Sequence, residues 1–231
     1  SMVFDAKAQR VHAPEQKKPQ FAVVVRMVER GRYRMAIQTA NKILERHPSA
    51  VAVRGLKGVA LARLGRFAEA LPWLESSQGS TVYWERGGVS AHAASLRAAG
   101  RGREAWRVRK SQLHPVVADN FVVRIRCHGV DDLISVGALS EAVNLAALTV
   151  IDAPDSPTAH AFYASALLAD SQLEQAEFHQ WLAKQLSVQN VPRVAINDAR
   201  LAMVYGDDLG ARRSWARQPT SPEPRGMTRR L

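Results

Sequence analysis

Residues 30–37 read RGRYRMAI, and residues 64–71 read LGRFAEAL. The second stretch repeats the first after 34 residues, with glycine, an aromatic residue and alanine at the same relative positions. Self-similarity at a period of about 20 to 50 residues is typical of chains built from stacked supersecondary units. The spacing therefore predicts a repeat protein.

A glycine followed five residues later by an alanine marks each unit of the repeat. In one unit a serine replaces the glycine, and successive units are spaced by 34, 35, 37, 34 and 35 residues. The six pairs are Gly31 and Ala36, Gly65 and Ala70, Gly100 and Ala105, Gly137 and Ala142, Ser171 and Ala176, and Gly206 and Ala211. The repeat thus continues over nearly the whole chain.

Each unit has the pattern of two helices joined at the glycine. Leu56 and Ala60 have the four-residue spacing of one helical face before Gly65, and Ala70 and Leu74 have it after. A glycine at this point ends the first helix because it adopts positive φ easily. Prolines stop the second helix in two units, and small residues seven positions before the turn let paired helices approach closely. These residues are Pro48 and Pro154, and Gly58, Ala93, Ala164 and Ala199.

The pattern resembles the tetratricopeptide repeat, a helix–turn–helix unit of about 34 residues. Residues 51–77 carry the resemblance best, because Gly58, Leu61, Gly65, Phe67 and Ala70 stand where the family has these residue types. The resemblance implies an all-α fold, a right-handed α-solenoid of about six repeats and about twelve helices. Four positions depart from the family pattern: Val24, Val130, Gly102 and Asp208.

Three segments are predicted: a flexible arm at 1–16, the solenoid at 17–217 and a basic, disordered tail at 218–231. Residues 116–136 are rich in β-branched residues, and Gly129 could divide them, so one helix and two helices both remain open. The N-terminal residues have no apolar core of a secretory signal, and no apolar run is long enough to cross a bilayer. We therefore expect a cytoplasmic protein without membrane insertion.

The resemblance implies that the first helix of each unit lines a concave groove that holds a peptide or helix of a partner. The predicted lining combines small residues, which leave room for a helix, with arginines, which can bind carboxylates in a bidentate manner. Alternatively, the small residues only allow helix packing and the arginines are solvated. The predicted groove residues are Gly55, Val59, Ala62, Arg63, Ser90, Ala94, Arg97, Arg124, Arg193 and Arg200, and Phe21, Val25, Cys127, Asp131, Ala161 and Ser165 share their register.

Residues 97–110 carry the densest positive charge, with Trp106 among six basic residues. They could contact phosphates and stack a base on Trp106, or they could form a solvated face with Trp106 packed between units. The candidate basic surface consists of Arg101, Arg103, Arg107, Arg109 and Lys110. A nucleic-acid-associated regulator is therefore the second hypothesis.

The sequence gives little basis for catalysis or metal binding. Cys127 and His128 are adjacent, but consecutive helical residues point about 100° apart and do not form a nucleophile–base pair. Seven histidines lack ligand spacing, and Cys127 has no second cysteine for a zinc site. Asp131 and Asp132 are interpreted as carboxylates at a helix start or turn, as are Asp207 and Asp208. We expect no enzyme, no cofactor and no metal.

The leading hypothesis is a non-enzymatic interaction module, such as a scaffold, adaptor or chaperone, that holds a protein segment in its groove. The formal charge of +11 favours an acidic segment, possibly a helical one, because a positive field attracts acidic partners. Nothing in the sequence indicates the partner's identity, the pathway or the oligomeric state.

Overall fold

The computed structural model of the protein describes residues 19–113, 119–188 and 190–206. Every regular element within these ranges is a helix, and there are twelve. They are α1 Pro19–Glu29, α2 Tyr33–Arg46, α3 Val51–Arg63, α4 Phe67–Glu75, α5 Thr81–Glu85, α6 Gly88–Ala98, α7 Gly102–Lys110, α8 Asp119–Ile134, α9 Leu139–Asp152, α10 Pro157–Ala169, α11 Leu173–Leu186 and α12 Pro192–Tyr205. The all-α solenoid predicted from the repeat is confirmed.

The turn inside each unit has the backbone conformation that the glycine predicted. Gly31, Gly65, Gly100 and Gly137 have φ between +70° and +75°. Gly206 also has positive φ, +64°, but its ψ of −157° lies outside the left-handed helical region. Ser171 has φ of +62° and is the non-glycine residue with positive φ within the described ranges. The serine therefore accepts a backbone strain that the glycines avoid.

The alanines five residues after each turn hold the paired helices together. Ala36, Ala70, Ala105, Ala142 and Ala176 each have no exposed surface. Within the second unit, the first helix approaches so closely that a Cβ atom on Gly58 would lie 2.7 Å from Leu74 Cγ. The repeated small residues therefore stand where paired helices pack closely. Ala211 lies outside the described residues.

The short helix α5 was not predicted. Ser80 caps it by accepting a hydrogen bond from the Tyr83 amide, while its own hydroxyl donates to the Ser77 carbonyl oxygen. Gly88 lets α6 begin against it, because a Cβ atom there would lie 2.6 Å from Tyr83 Cα. The count of twelve includes α5, whereas the second helix predicted for the sixth unit falls outside the described residues.

Helix α8 is continuous from Asp119 to Ile134, so these residues of the range 116–136 form one helix; residues 116–118 lie outside the described residues. Gly129 does not break it, because the indole of Trp106 occupies the space beside the glycine: a Cβ there would lie 2.3 Å from Trp106 Cε3. Gly102 stands where the family favours a large apolar residue for a similar reason. A Cβ on Gly102 would lie 2.0 Å from the Asp132 carbonyl oxygen.

The proposed domain boundaries remain predictions. The arm at 1–16, the tail at 218–231 and the last residues of the solenoid, including Asp207 and Asp208, lie outside the described residues. Within the described ranges, no helix is long and apolar enough to span a membrane.

Candidate partner-binding face

The first helices of successive units lie side by side in two groups. Helices α1, α3 and α6 pack in order, and so do α8, α10 and α12, whereas α6 and α8 approach each other less closely. The concave face is defined here as the surface at the predicted groove positions of these six helices. Between α6 and α8, long side chains rather than close helix packing therefore join the two groups.

The N-terminal part of the predicted lining is covered. Gly55, Val59 and Ala62 are buried. A Cβ on Gly55 would lie 3.2 Å from Ser77 Cβ and 3.4 Å from Val82 Cγ1, so the segment around α5 packs directly on α3. The α5 segment therefore covers Gly55, and the burial of Val59 and Ala62 leaves little of their surface open to a partner.

The remaining predicted residues on α3 and α6 are more accessible. Ser90 is exposed and Ala94 is half-buried. Arg63 is exposed, with its guanidinium near Gly87 at the start of α6. The open part of the concave face therefore begins at α6.

A buried charge cluster joins α6, α7 and α8. Arg109 Nε donates to Asp132 Oδ2 at 2.6 Å, and Arg97 Nη1 lies 3.5 Å from Asp132 Oδ1. The Asp132 side chain is fully buried and that of Arg109 is 5% exposed. Burial raises the pKa of the Asp132 carboxyl, and the two guanidinium groups oppose that change. This pairing is the reason that Arg109 is buried rather than on the surface where the sequence placed it.

A second part of the same cluster links the concave face to α12. Arg193 pairs with Asp131, and Arg97 Nη1 lies 3.9 Å from the same Asp131 carboxylate oxygen, Oδ2. Arg97 and Arg193 were predicted to bind a partner's carboxylates, but here they bind a carboxylate of their own chain. The interpretation of Asp131 and Asp132 as carboxylates at a helix start or turn is wrong, since both lie within α8, near its C-terminal end. Carboxylates are unfavourable at that end of a helix, and the arginines compensate for this.

Two other predicted groove arginines form no ion pair with any residue that the structure describes. Arg124 is exposed and lies over the Phe121 ring, 5.1 Å from its centroid. Arg200 is exposed on α12. Among the described residues, Arg63, Arg124 and Arg200 form no ion pair, so these three side chains are available to a negatively charged group.

An open, mostly apolar cavity of about 700 Å³ lies between α10, α11 and α12. Phe162 and Ile196 line it at first-helix positions, and the Arg193 guanidinium stands over the Phe162 ring at 4.3 Å. Leu186 and Pro192 contribute further apolar surface. No sequence pattern indicates this cavity, although Ile196 holds the same register as the predicted residues Gly55 and Ser90.

Two arginines of the candidate basic surface form ion pairs with glutamates of the same chain. Arg101 binds Glu75 and Glu104, and Arg103 binds Glu141, each at 2.8 to 2.9 Å. Arg107 and Lys110 are exposed and form no ion pair within the described residues.

Trp106 packs against Gly129 between units, so the indole is not a free stacking platform. This is the packing alternative that the sequence left open. Nucleic-acid binding by residues 97–110 remains a prediction that no contact in the structure tests.

Cys127 and His128 do not form a catalytic pair. Burial raises the pKa of the Cys127 thiol to about 12, and its side chain is almost fully enclosed. His128 is exposed and packs edge-on against Phe162, with ring centroids 6.5 Å apart. The thiol is therefore neutral at physiological pH and is not a thiolate nucleophile.

Comparison with known proteins identifies a family model and solved structures that are similar to this chain. Residues 20–108 match the family model described as "Psidin, N-terminal TPR repeats region". The fold is similar to YrrB, described as a TPR protein with an unusual peptide-binding site, with a TM-score of 0.61 and 16% identity over 84% of this chain and 97% of that one. The chain has the fold of a tetratricopeptide repeat solenoid, and residues 20–108 are similar to the repeats of that family.

Other similarities of this chain have lower TM-scores or cover shorter stretches. MamA from Desulfovibrio magneticus RS-1 gives a TM-score of 0.57 at 15% identity, covering 72% of this chain and 92% of that one. PilF of Pseudomonas aeruginosa gives 0.54 at 16% identity, with coverages of 82% and 84%. The Phagocyte signaling-impaired protein of Drosophila pseudoobscura pseudoobscura is 49% identical over 43 residues, which span 19% of this chain and 4% of that protein. At these identities, the solved structures show the fold alone.

Proposed function

We propose that this protein is a non-enzymatic scaffold or adaptor that holds a segment of a partner protein along its concave face. The observation that carries the proposal is the open apolar cavity between α10 and α12, to which Arg193 and Ile196 contribute from groove positions that the family resemblance implies. Similarity to a repeat protein with a peptide-binding site supports the same mode.

The partner segment that fits this face is acidic, and a helix is one form that it can take. Arg63, Arg124 and Arg200 are exposed without an ion pair in the described part of the chain, and the formal charge is +11. A positive face attracts carboxylates and raises the association rate with an acidic partner. The cavity takes a large apolar side chain of the same segment, since a few buried apolar anchors supply most of the affinity in such interfaces.

The test compares variants in capture of partners from the native host, quantified by mass spectrometry. Ser90→Trp fills the exposed part of the groove, Ile196→Glu places a charge in the cavity, and Arg107→Glu reverses a charge on the outer face. We expect the first two changes to remove the same acidic proteins and the third to leave them bound. Melting temperatures of all three variants are measured in parallel, because loss of folding would also reduce capture.

The opposite pattern would refute the proposal. If Arg107→Glu abolished capture while Ser90→Trp and Ile196→Glu retained it, the outer basic face would be the binding site. Capture that fell equally in all three variants at unchanged melting temperature would indicate binding by overall charge alone.

A further inference from the structure

The turns of the second and third units each contain an internal ion pair. In both units the residue after the turn glycine is an arginine, and the residue three positions later is a glutamate. Arg66 Nε and Nη2 donate to the two carboxylate oxygens of Glu69 at 2.7 and 2.6 Å. Arg101 binds Glu104 in the same bidentate manner, with both distances 2.8 Å. These hydrogen bonds lower the pKa of both carboxyl groups, so each glutamate stays ionised beside its arginine.

The first unit has the arginine without the glutamate. Arg32 follows Gly31 at the same register, but Met35 stands where the second and third units have glutamate. The first turn of α2 contains no acidic residue, and Met35 is 48% exposed. Arg32 is exposed and forms no ion pair with any residue that the structure describes. The carboxylate that occupies this arginine position in the next two units is therefore missing here.

The remaining turns show that the arginine is otherwise matched by charge. In the fifth unit both positions are uncharged, as Gln172 and Gln175. The fourth unit has Glu141 without an arginine of its own, and this carboxylate accepts a hydrogen bond from Arg103 of the third unit at 2.9 Å. Among the five turns that the structure describes in full, the first therefore differs in having the arginine without a carboxylate.

Two further arginines flank Arg32. Arg30 and Arg34 are exposed, and neither forms an ion pair within the described ranges. The neighbouring carboxylate, Glu29, is bound by Arg86. Three positive charges within five residues repel one another, so an anionic group that binds there relieves the repulsion.

The charge of the described chain is concentrated in the same half. Residues 19–113 contain 17 lysines and arginines against six aspartates and glutamates, whereas residues 119–206 contain five against ten. The positive field therefore surrounds the first three units, and it attracts an acidic ligand to that half of the solenoid.

The first turn is better suited to a carboxylate than to a nucleic acid. Its aromatic residue, Tyr33, is half-buried against the hydrophobic core and offers no free face on which a base could stack. The exposed Met35 instead offers an apolar contact beside the arginines. In the two turns of the same design, the group that the arginine binds is a carboxylate.

We propose that the turn of the first unit, residues 30–35, is a docking site for a carboxylate-bearing segment of a partner protein. Arg32 binds one carboxylate in the bidentate geometry of the second and third units. Arg30 and Arg34 add positive charge, and Met35 contacts an apolar side chain next to that carboxylate. None of these residues belongs to the predicted groove lining, so this site is separate from the concave face and does not depend on the proposed function.

The test is Met35→Glu, which gives the first unit the glutamate that the next two units have. Glutamate in the first turn of a helix is favourable, so the melting temperature should not fall. Binding of a fluorescein-labelled oligoglutamate peptide to the full chain is measured by fluorescence anisotropy, in the wild-type chain and in Ser90→Trp. In Ser90→Trp, where the concave face is obstructed, Met35→Glu should weaken binding by about fivefold, because its own chain then occupies Arg32. The effect of Ser90→Trp alone tests the concave face, so either proposal can fail without the other.

Two further variants separate a specific site from overall charge. Gln175→Glu makes the same change of charge at the same register in the fifth unit, where the preceding position has no arginine, and it should change the affinity by less than about twofold. Arg32→Lys keeps the charge but removes the bidentate geometry, so it should weaken binding by a factor similar to that of Met35→Glu.

Three outcomes would overturn the proposal. Equal losses in Met35→Glu and Gln175→Glu, with no effect of Arg32→Lys, would show binding by overall charge. A fluorescein-labelled oligouridylate RNA that loses more affinity than the peptide on Met35→Glu would assign the turn to phosphates. A wild-type dimer in sedimentation equilibrium that Met35→Glu converts to monomer would assign it to carboxylates of a second copy.

Discussion

The indole of Trp106 lies against Gly129, so close that a Cβ atom on the glycine would be 2.3 Å from Trp106 Cε3. This contact joins the third unit to the fourth and explains a glycine in the middle of a 16-residue helix. We expect Gly129→Ala to lower the free energy of unfolding by about 1–3 kcal/mol through overpacking, although alanine forms helices better than glycine does. Urea denaturation measures this change.

The control for that substitution is Gly79, because a Cβ there would meet no atom within 4 Å and its φ is not positive. Gly79→Ala should leave the free energy of unfolding within about 0.5 kcal/mol of the wild-type value. If Gly129→Ala stabilised the protein by the amount expected from helix propensity, the Trp106 contact would not be as tight as the structure gives it.

A single substitution at Ser171 should stabilise the protein. With φ of +62°, it lacks the glycine found at the other turns, and a Cβ in this conformation is strained. Ser171→Gly should raise the free energy of unfolding by roughly 0.5–1 kcal/mol, since relief of strain exceeds the added freedom of the unfolded chain. The reciprocal change Gly65→Ser should lower it by a similar amount, and equal melting temperatures for all three proteins would contradict the argument.

Substitution in the buried pair of Arg109 and Asp132 should change the free energy of unfolding by more than the substitutions above. Arg109→Met leaves the Asp132 carboxylate without its closest partner in a site that has no exposed surface, so the free energy of unfolding should fall by about 3 kcal/mol or more. Lys110→Met, one residue away and exposed, should change it by less than about 0.5 kcal/mol. Replacing both partners, as Arg109→Met with Asp132→Leu, should recover most of the loss, and a double variant no more stable than the single one would contradict this view.

The parts of the fold that follow from local rules were predictable from the sequence. Each turn glycine is required by one positive φ angle, and each buried alanine by one close helix contact. Both requirements recur once in every unit, so they produce a fixed spacing in the sequence. Helix α5 was missed because it depends on the Ser80 cap and on space beside Gly88, neither of which changes the repeat phase.

The candidate site was less predictable, because charge pairing joins residues that are distant in sequence. Arg193 and Asp131 are 62 positions apart, and no periodic pattern indicates that they meet. Register could place Arg97 and Arg193 on the concave face, but it could not show that a carboxylate of the same chain already binds them. Arg109 was misplaced for the same reason, since a buried arginine has no sequence signal separate from its partner.

The histidine pair of α10 and α11 predicts how stability depends on pH. His160 donates from Nε2 to the Pro154 carbonyl oxygen at 2.8 Å, so its Nδ1 accepts a hydrogen bond from His179 Nδ1 at 2.9 Å. Burial, and then the neighbouring His160, lower the pKa of His179 to about 4 from its ordinary value near 6.5. The unfolded chain therefore binds more protons than the folded chain between these two values.

The sign of the pH effect follows from that difference. The contribution of His179 is fully present above pH 6.5 and is lost as the pH falls toward 4, so the melting temperature should decrease between pH 7 and pH 5. Because His179 is partly exposed, we expect a loss on the order of 1 kcal/mol at pH 5. His179→Gln keeps a polar side chain that does not titrate, so it should flatten the decrease; the exposed His47→Gln is the control and should leave it unchanged. A decrease that is as steep in His179→Gln as in the wild type would assign the acid sensitivity to other groups, such as the buried His92, whose pKa burial also lowers.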